Sequence, residues 1–122
     1  MMSRQPEKTM NTPFVEIATI EALDDFITKA NGSAALLFKH SNLCGVSARA
    51  YSEIATLNSP VGLVVVQNAR NVSDEIERRW GIGHETPQVL IVRGDEVVWN
   101  ASHFEIKNPA VSAAVAAAGG EG

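Results

Sequence analysis

Two short apolar runs with a helix-spaced stretch between them set the strongest limit on what this chain can fold into. Val61 to Val66 is nearly all apolar and rich in β-branched residues, the mark of a strand covered on both faces. Ala34-Ala35-Leu36-Leu37-Phe38-Lys39 is a second such run. Between them, Ala48 to Leu57 places Ala50, Tyr51, Ile54 and Leu57 on one helical stripe. Strands joined through a helix pair in parallel by a right-handed crossover. The chain is therefore committed to a sheet flanked by helices.

The remaining segments extend that pattern. Phe14 to Ile17 alternates and predicts a short strand. Thr19 is suited to cap a helix whose apolar face is Ile20, Leu23, Phe26, Ile27 and Ala30, with Gly32 closing it. Asn58-Ser59-Pro60 breaks the second helix. Asn71 or Ser73 starts a third, with Val72, Ile76 and Trp80 on one face and Gly81 and Gly83 after it. Gln88 to Arg93, a Gly94-Asp95 turn and Glu96 to Asn100 read as a hairpin. Asn108 caps a last helix, with Pro109 at its first position and Ala110 to Ala118 as its body. The order is β-α-β-α-β-α-β-β-α. Residues 1–13 and 119–122 are expected to be disordered tails around one domain, residues 14–118.

Composition narrows the function. With 122 residues and 45% apolar content, one ordinary core is feasible. A net charge of -4 argues against nucleic acid or a membrane surface as partner. No apolar segment reaches the roughly 20 residues that a membrane span needs, and the N-terminus lacks a signal-peptide core. No Cys/His cluster has zinc spacing, so no metal is expected, and no phosphate-binding glycine loop is present. A single cysteine makes no internal disulfide, which suits a reducing compartment, the cytoplasm.

That cysteine is placed for chemistry. His40-Ser41-Asn42-Leu43-Cys44-Gly45-Val46-Ser47 runs from the end of a buried strand into a helix. The first turn of a helix offers free N–H groups and the positive end of the macrodipole. Both favour a thiolate, the nucleophilic form. Lys39, His40 and Arg49 add positive charge nearby in sequence. A lone cysteine is often a small buried hydrophobe, but polar neighbours at a strand–helix junction favour the reactive reading. Cys44-Gly45-Val46-Ser47 is a Cys-x-x-Cys pattern whose second sulfur has become a hydroxyl. It keeps the attacking group and loses the internal resolving one.

With Thr86-Pro87 ahead of the fourth strand, this order resembles the thioredoxin fold, a central mixed sheet of about five strands flanked by four helices. The resemblance implies a cis Pro87 beside Cys44, with Thr86 offering its backbone to a substrate. Four stretches in order, Phe38 to Ser41, Cys44 to Ser47, His84 to Gln88 and Trp99 to His103, are similar to the monothiol bacilliredoxins of the bacillithiol system. Members of that family commonly carry proline after the cysteine, where this chain has Gly45. The resemblance implies a monothiol thiol–disulfide oxidoreductase that reduces mixed disulfides between proteins and bacillithiol.

In that reading Cys44 is the nucleophile, and Ser47 donates a hydrogen bond to its thiolate. Gly45, Val46, His84, Thr86 and Pro87 contact the substrate. No cofactor is bound, and bacillithiol is the co-substrate. Partners are S-thiolated proteins, a low-molecular-weight thiol and a possible dithiol reductase. His40 is expected to be partly buried and bonded to backbone, His103 structural or at the surface, and Trp80 and Trp99 in the core. The rival reading is a non-catalytic thioredoxin-like binding module, or a thiol redox sensor.

Overall fold

The computed structural model describes residues 13–119. The tails expected at 1–13 and 119–122 lie outside the described residues except for Pro13 and Gly119. The elements are β1 (Phe14–Glu16), α1 (Ile20–Ala30), β2 (Ala35–His40), α2 (Gly45–Ile54), β3 (Val61–Val65), α3 (Arg70–Trp80), β4 (Gln88–Arg93), β5 (Glu96–Ser102) and α4 (Asn108–Ala117). A 3-10 turn, His103–Glu105, joins β5 to α4.

The five strands form one sheet in the order β1-β3-β2-β4-β5. The first three run parallel, with Leu36 opposite Val61 and His40 opposite Val65. β4 is antiparallel to β2, with Lys39 opposite Gln88, and β5 returns along β4. β2 is buried along its whole length, as is β3. That explains the unbroken apolar runs: strands covered on both faces need no polar alternation.

Alternation along β2 separates two cores. Leu36 and Phe38 pack with Ala50 and Ile54 of α2 and Val111 and Val115 of α4. Ala35 and Leu37 pack with Leu23 of α1 and Val72, Ile76 and Trp80 of α3. Gly62 of β3 lies where three side chains converge. A Cβ built there would stand 2.5 Å from Ile17 Cδ1 and 3.0 Å from Leu37 Cδ2, so the close approach of α1 to the sheet depends on glycine.

Several boundaries differ from the sequence expectation. Helix α2 covers Gly45–Ile54, starting directly after Cys44 as expected but ending before Leu57, which is buried in the turn that follows. β2 ends at His40. α1 is capped as expected, with Thr19 accepting from the Ala22 N–H, but its left-handed exit uses both Asn31 and Gly32. Helix α3 starts at Arg70 behind an Ala69 without a capping side chain, so neither Asn71 nor Ser73 is the cap. Asn108 is a helical residue behind Lys107. Its amide donates instead to the Glu53 carbonyl and Thr56 Oγ1, tying α4 to α2. Trp80 is buried and donates to the Gly94 carbonyl, whereas Trp99 is only half-buried.

Candidate active site

β2 leaves the sheet at His40, and the chain turns through Ser41 to Leu43 before α2 begins. This turn is pinned from the next crossover. Gln67 accepts from the Asn42 N–H at 3.1 Å and donates to Ser41 Oγ at 2.8 Å. Ser41 Oγ in turn accepts from the Leu43 N–H at 3.2 Å. Leu43 itself is 86% exposed. Cys44 follows as the N-cap of α2, extended (φ -118°) and half-buried. It makes no side-chain capping bond, so the first-turn N–H groups of α2 are met by no side-chain cap beside the sulfur.

Gly45 is exposed, and nothing lies within 4 Å of where its Cβ would be. Its backbone does not occupy the left-handed region, so nothing local demands glycine here. Val46 is half-buried.

Ser47 does not take the role the sequence assigned to it. It is wholly buried. Its Oγ accepts from the Ser41 N–H at 2.9 Å and lies 2.7 Å from His40 Nδ1. A hydroxyl that accepts one N–H satisfies its own proton by donating to an unprotonated imidazole nitrogen. No hydrogen bond joins Ser47 to Cys44 among the described residues. Ser47 therefore fixes the floor of the loop rather than the thiolate. His40 is likewise tied to this side chain, not to backbone. Burial pushes His40 below the usual histidine range, with the Ser47 hydrogen bond opposing, so the ring is neutral near pH 7. Replacing Ser47 by Ala strands the Ser41 N–H and His40 Nδ1 without partners. Ser47→Ala is expected to cost about 1–3 kcal/mol in urea unfolding, the usual penalty for buried polar groups left unpaired.

The Thr86–Pro87 peptide is cis. Gln88 pairs with Lys39, so Pro87 sits one register step away, beside His40 where the cysteine loop departs. His103, in the left-handed region at φ 55°, donates its N–H to the Pro87 carbonyl at 3.0 Å. Its ring stands 3.3 Å from Glu85 Oε1. His103, expected to be structural or at the surface, thus holds the proline loop from two sides. Thr86 makes no main-chain hydrogen bond with the rest of the described chain.

His84 is solvent-exposed, and its Nδ1 lies 3.1 Å from Ser73 Oγ on α3. Partial desolvation, with the Lys39 charge, holds it below the usual range against Glu77, Asp74 and Glu85. Lys39 is not a surface cation beside the sulfur. It is fully buried on the α1–α3 face of the sheet, opposite to α2. The sequence places Lys39 in the strand, but closeness in sequence to Cys44 does not show that strand alternation turns its side chain to the other face of the sheet.

The arrangement is a half-exposed thiol at a helix N-terminus, on the same sheet end as a cis-proline loop with free main-chain groups. A model of the monothiol bacilliredoxin BrxC family matches residues 15–111, a span that contains all of these elements. The chain belongs to that family.

Bacilliredoxin membership agrees with the fold comparisons. A solved protein with a thioredoxin fold superposes with a TM-score of 0.75 at 26% identity, over 83% of this chain and 92% of the other. A poplar thioredoxin h mutant gives 0.71 at 18% identity, over 87% and 82% of the two chains. Fasciola hepatica thioredoxin gives 0.69 at 12% identity, over 84% and 97%. The last two carry the fold alone. The expected thioredoxin-like sheet of five strands and four helices is therefore found, and no helix among the described residues is long and apolar enough to cross a membrane.

Proposed function

We propose that this bacilliredoxin is a monothiol thiol–disulfide oxidoreductase that reduces mixed disulfides between proteins and bacillithiol in the cytoplasm. The observation that carries the reading is Cys44 itself. It is half-exposed at the uncapped start of α2, on the sheet end that also holds the cis Thr86–Pro87 loop.

The Cys44 thiolate attacks the bacillithiol sulfur of the mixed disulfide. A bond forms between Cys44 Sγ and that sulfur, the target–bacillithiol bond breaks, and the target leaves as a thiolate that takes up a proton. Cys44 then carries the small thiol. No second cysteine is present to resolve it, and Ser47 has no sulfur to do so. A second bacillithiol, or a dithiol reductase, must attack the adduct and restore Cys44.

Thr86, with its free main-chain groups, pairs with the extended backbone of the target, and Pro87, Gly45 and Val46 line the approach to the sulfur. His84, tied to Ser73, contacts the substrate only at the edge of this cleft.

Incubation with a bacillithiolated protein, followed by mass spectrometry of the intact chain, tests the reading. The expected product is one bacillithiol adduct, mapped to Cys44 and removed by free thiol. A chain that stays unmodified while its substrate is consumed, or is never consumed, contradicts it.

A further inference from the structure

On the other side of β2 from the proline loop, toward β3 and β1, is a concavity of about 450 Å³. It opens at the carboxyl ends of the three parallel strands, where Glu16 closes β1, His40 closes β2 and Val65 closes β3. Ligands of open α/β sheets bind outside such strand ends. Leu63 and Val65 form its floor, and Asn42 and Ala48, two residues before Cys44 and four after it, bring it against the cysteine loop.

Its polar groups are unspent. His40, a lining residue, is only 7% exposed; its Nδ1 is taken by Ser47, and its Nε2 has no hydrogen-bond partner among the described residues. Tyr51, Glu16, Asn42 and Asn68 also line it, and none of their side chains makes a hydrogen bond within the described chain. The rings behind them are fixed: Tyr51 packs 5.0 Å from His40 and 4.5 Å from Phe14. The site is thus preorganised, with an apolar floor and a few convergent polar groups, the usual make-up of a small-molecule site.

The chemistry of the lining selects the ligand. No lysine or arginine faces the cavity, and its one charge is a carboxylate. An anionic group is therefore disfavoured. Amides, phenol, imidazole and carboxylate together offer both donors and acceptors, which suits hydroxyl groups that can do both. We infer that this cavity binds a polyhydroxylated, sugar-like ring without negative charge. Resting on the function proposed above, it seats the sugar portion of the low-molecular-weight thiol exchanged at Cys44.

Two arms test this with the full chain. In the first, peptide mixed disulfides of bacillithiol, whose thiol carries an amino sugar, and of glutathione, which carries none, are compared as substrates. Asn68→Leu and Glu16→Ala each remove hydrogen bonds to a ligand at exposed positions, and thermal melts verify that both variants fold. KM for the bacillithiol disulfide should rise roughly five- to tenfold, with kcat and the glutathione KM moving far less. Equal effects on both disulfides, or none, overturn the inference.

The second arm titrates methyl glucosaminide into the Cys44→Ser protein. Resonances of His40, Tyr51 and Asn68 should shift while His84 stays still. Absence of those shifts up to the solubility limit overturns the site. Shifts without any thiol transfer in the first arm would preserve the site as one for a free sugar, and would remove the redox reading and the assignment to the thiol.

Discussion

Cys44→Ser should abolish thiol transfer and leave the fold intact. The reaction needs a sulfur that can attack, carry an adduct and be released, and a serine hydroxyl at neutral pH does none of these. Turnover of a bacillithiolated protein should fall to the uncatalysed rate, and no adduct should appear on the intact chain. Stability should move by no more than about 0.5 kcal/mol, as for a substitution away from packed or bonded groups. The structural reason is specific. Cys44 is half-exposed, caps nothing and belongs to neither apolar cluster, while the loop is held by Gln67, Ser41 and Ser47. Measured transfer above the uncatalysed rate in this variant would remove Cys44 as the nucleophile. A large loss of stability would show that the thiol is a core residue, the reading that a lone cysteine invites on count alone.

The contrast between Cys44 and Ser47 shows where a sequence can be read and where it cannot. The strands were legible because Leu36 to Phe38 and Val61 to Val65 are buried on both sheet faces, so burial is written into residue type. The cysteine was legible because local order alone places it at a helix start. The Ser47 hydrogen bonds were not. They depend on His40 reaching back from the end of β2 across the cysteine loop, a contact set by how α2 lies on the sheet. Nothing in a Cys-x-x-Ser spacing distinguishes a hydroxyl facing the sulfur from one facing the core.

The start of α3 failed for a related reason. Ser73 looks like a cap, but it lies inside the helix, where its hydroxyl serves His84. His103 is structural and at the surface, as expected, but its particular contact is not readable from the sequence, because its backbone conformation and its bond to Pro87 are products of the β4–β5 pairing, not of neighbouring residues.

Lys39 supplies the one substitution expected to raise stability. Its side chain is wholly buried on the central strand, and Nζ has no hydrogen-bond partner among the described residues. Gln88, its register partner on β4, spends its amide N–H on the Gly83 carbonyl and leaves Oε1 unpaired. A buried ammonium without a partner is costly. Burial accordingly pushes the Lys39 pKa down, more strongly than the nearby acidic groups Glu77, Asp74 and Glu85 pull it up.

Lys39→Met keeps most of the volume and removes the charge, so it should stabilise the fold on the order of 1–3 kcal/mol at pH 7, the cost of an unsatisfied buried polar group. The sign of the pH dependence follows from proton binding. The unfolded lysine keeps its proton up to the ordinary value of about 10.4, whereas the folded one releases it at lower pH. Between those two pH values the unfolded state holds more protons, so raising the pH favours the folded state. Wild-type stability should therefore gain on the variant as pH rises toward that value, and the advantage of methionine should shrink without vanishing, because a neutral amine still lacks a partner. Urea unfolding of both proteins at pH 7 and pH 9.5 measures the difference. A less stable Lys39→Met at pH 7, with a gap that does not widen between pH 7 and pH 9.5, would show that the acidic groups of α3 and the proline loop hold Lys39 as a paired ammonium whose support is lost, not gained, as the lysine deprotonates.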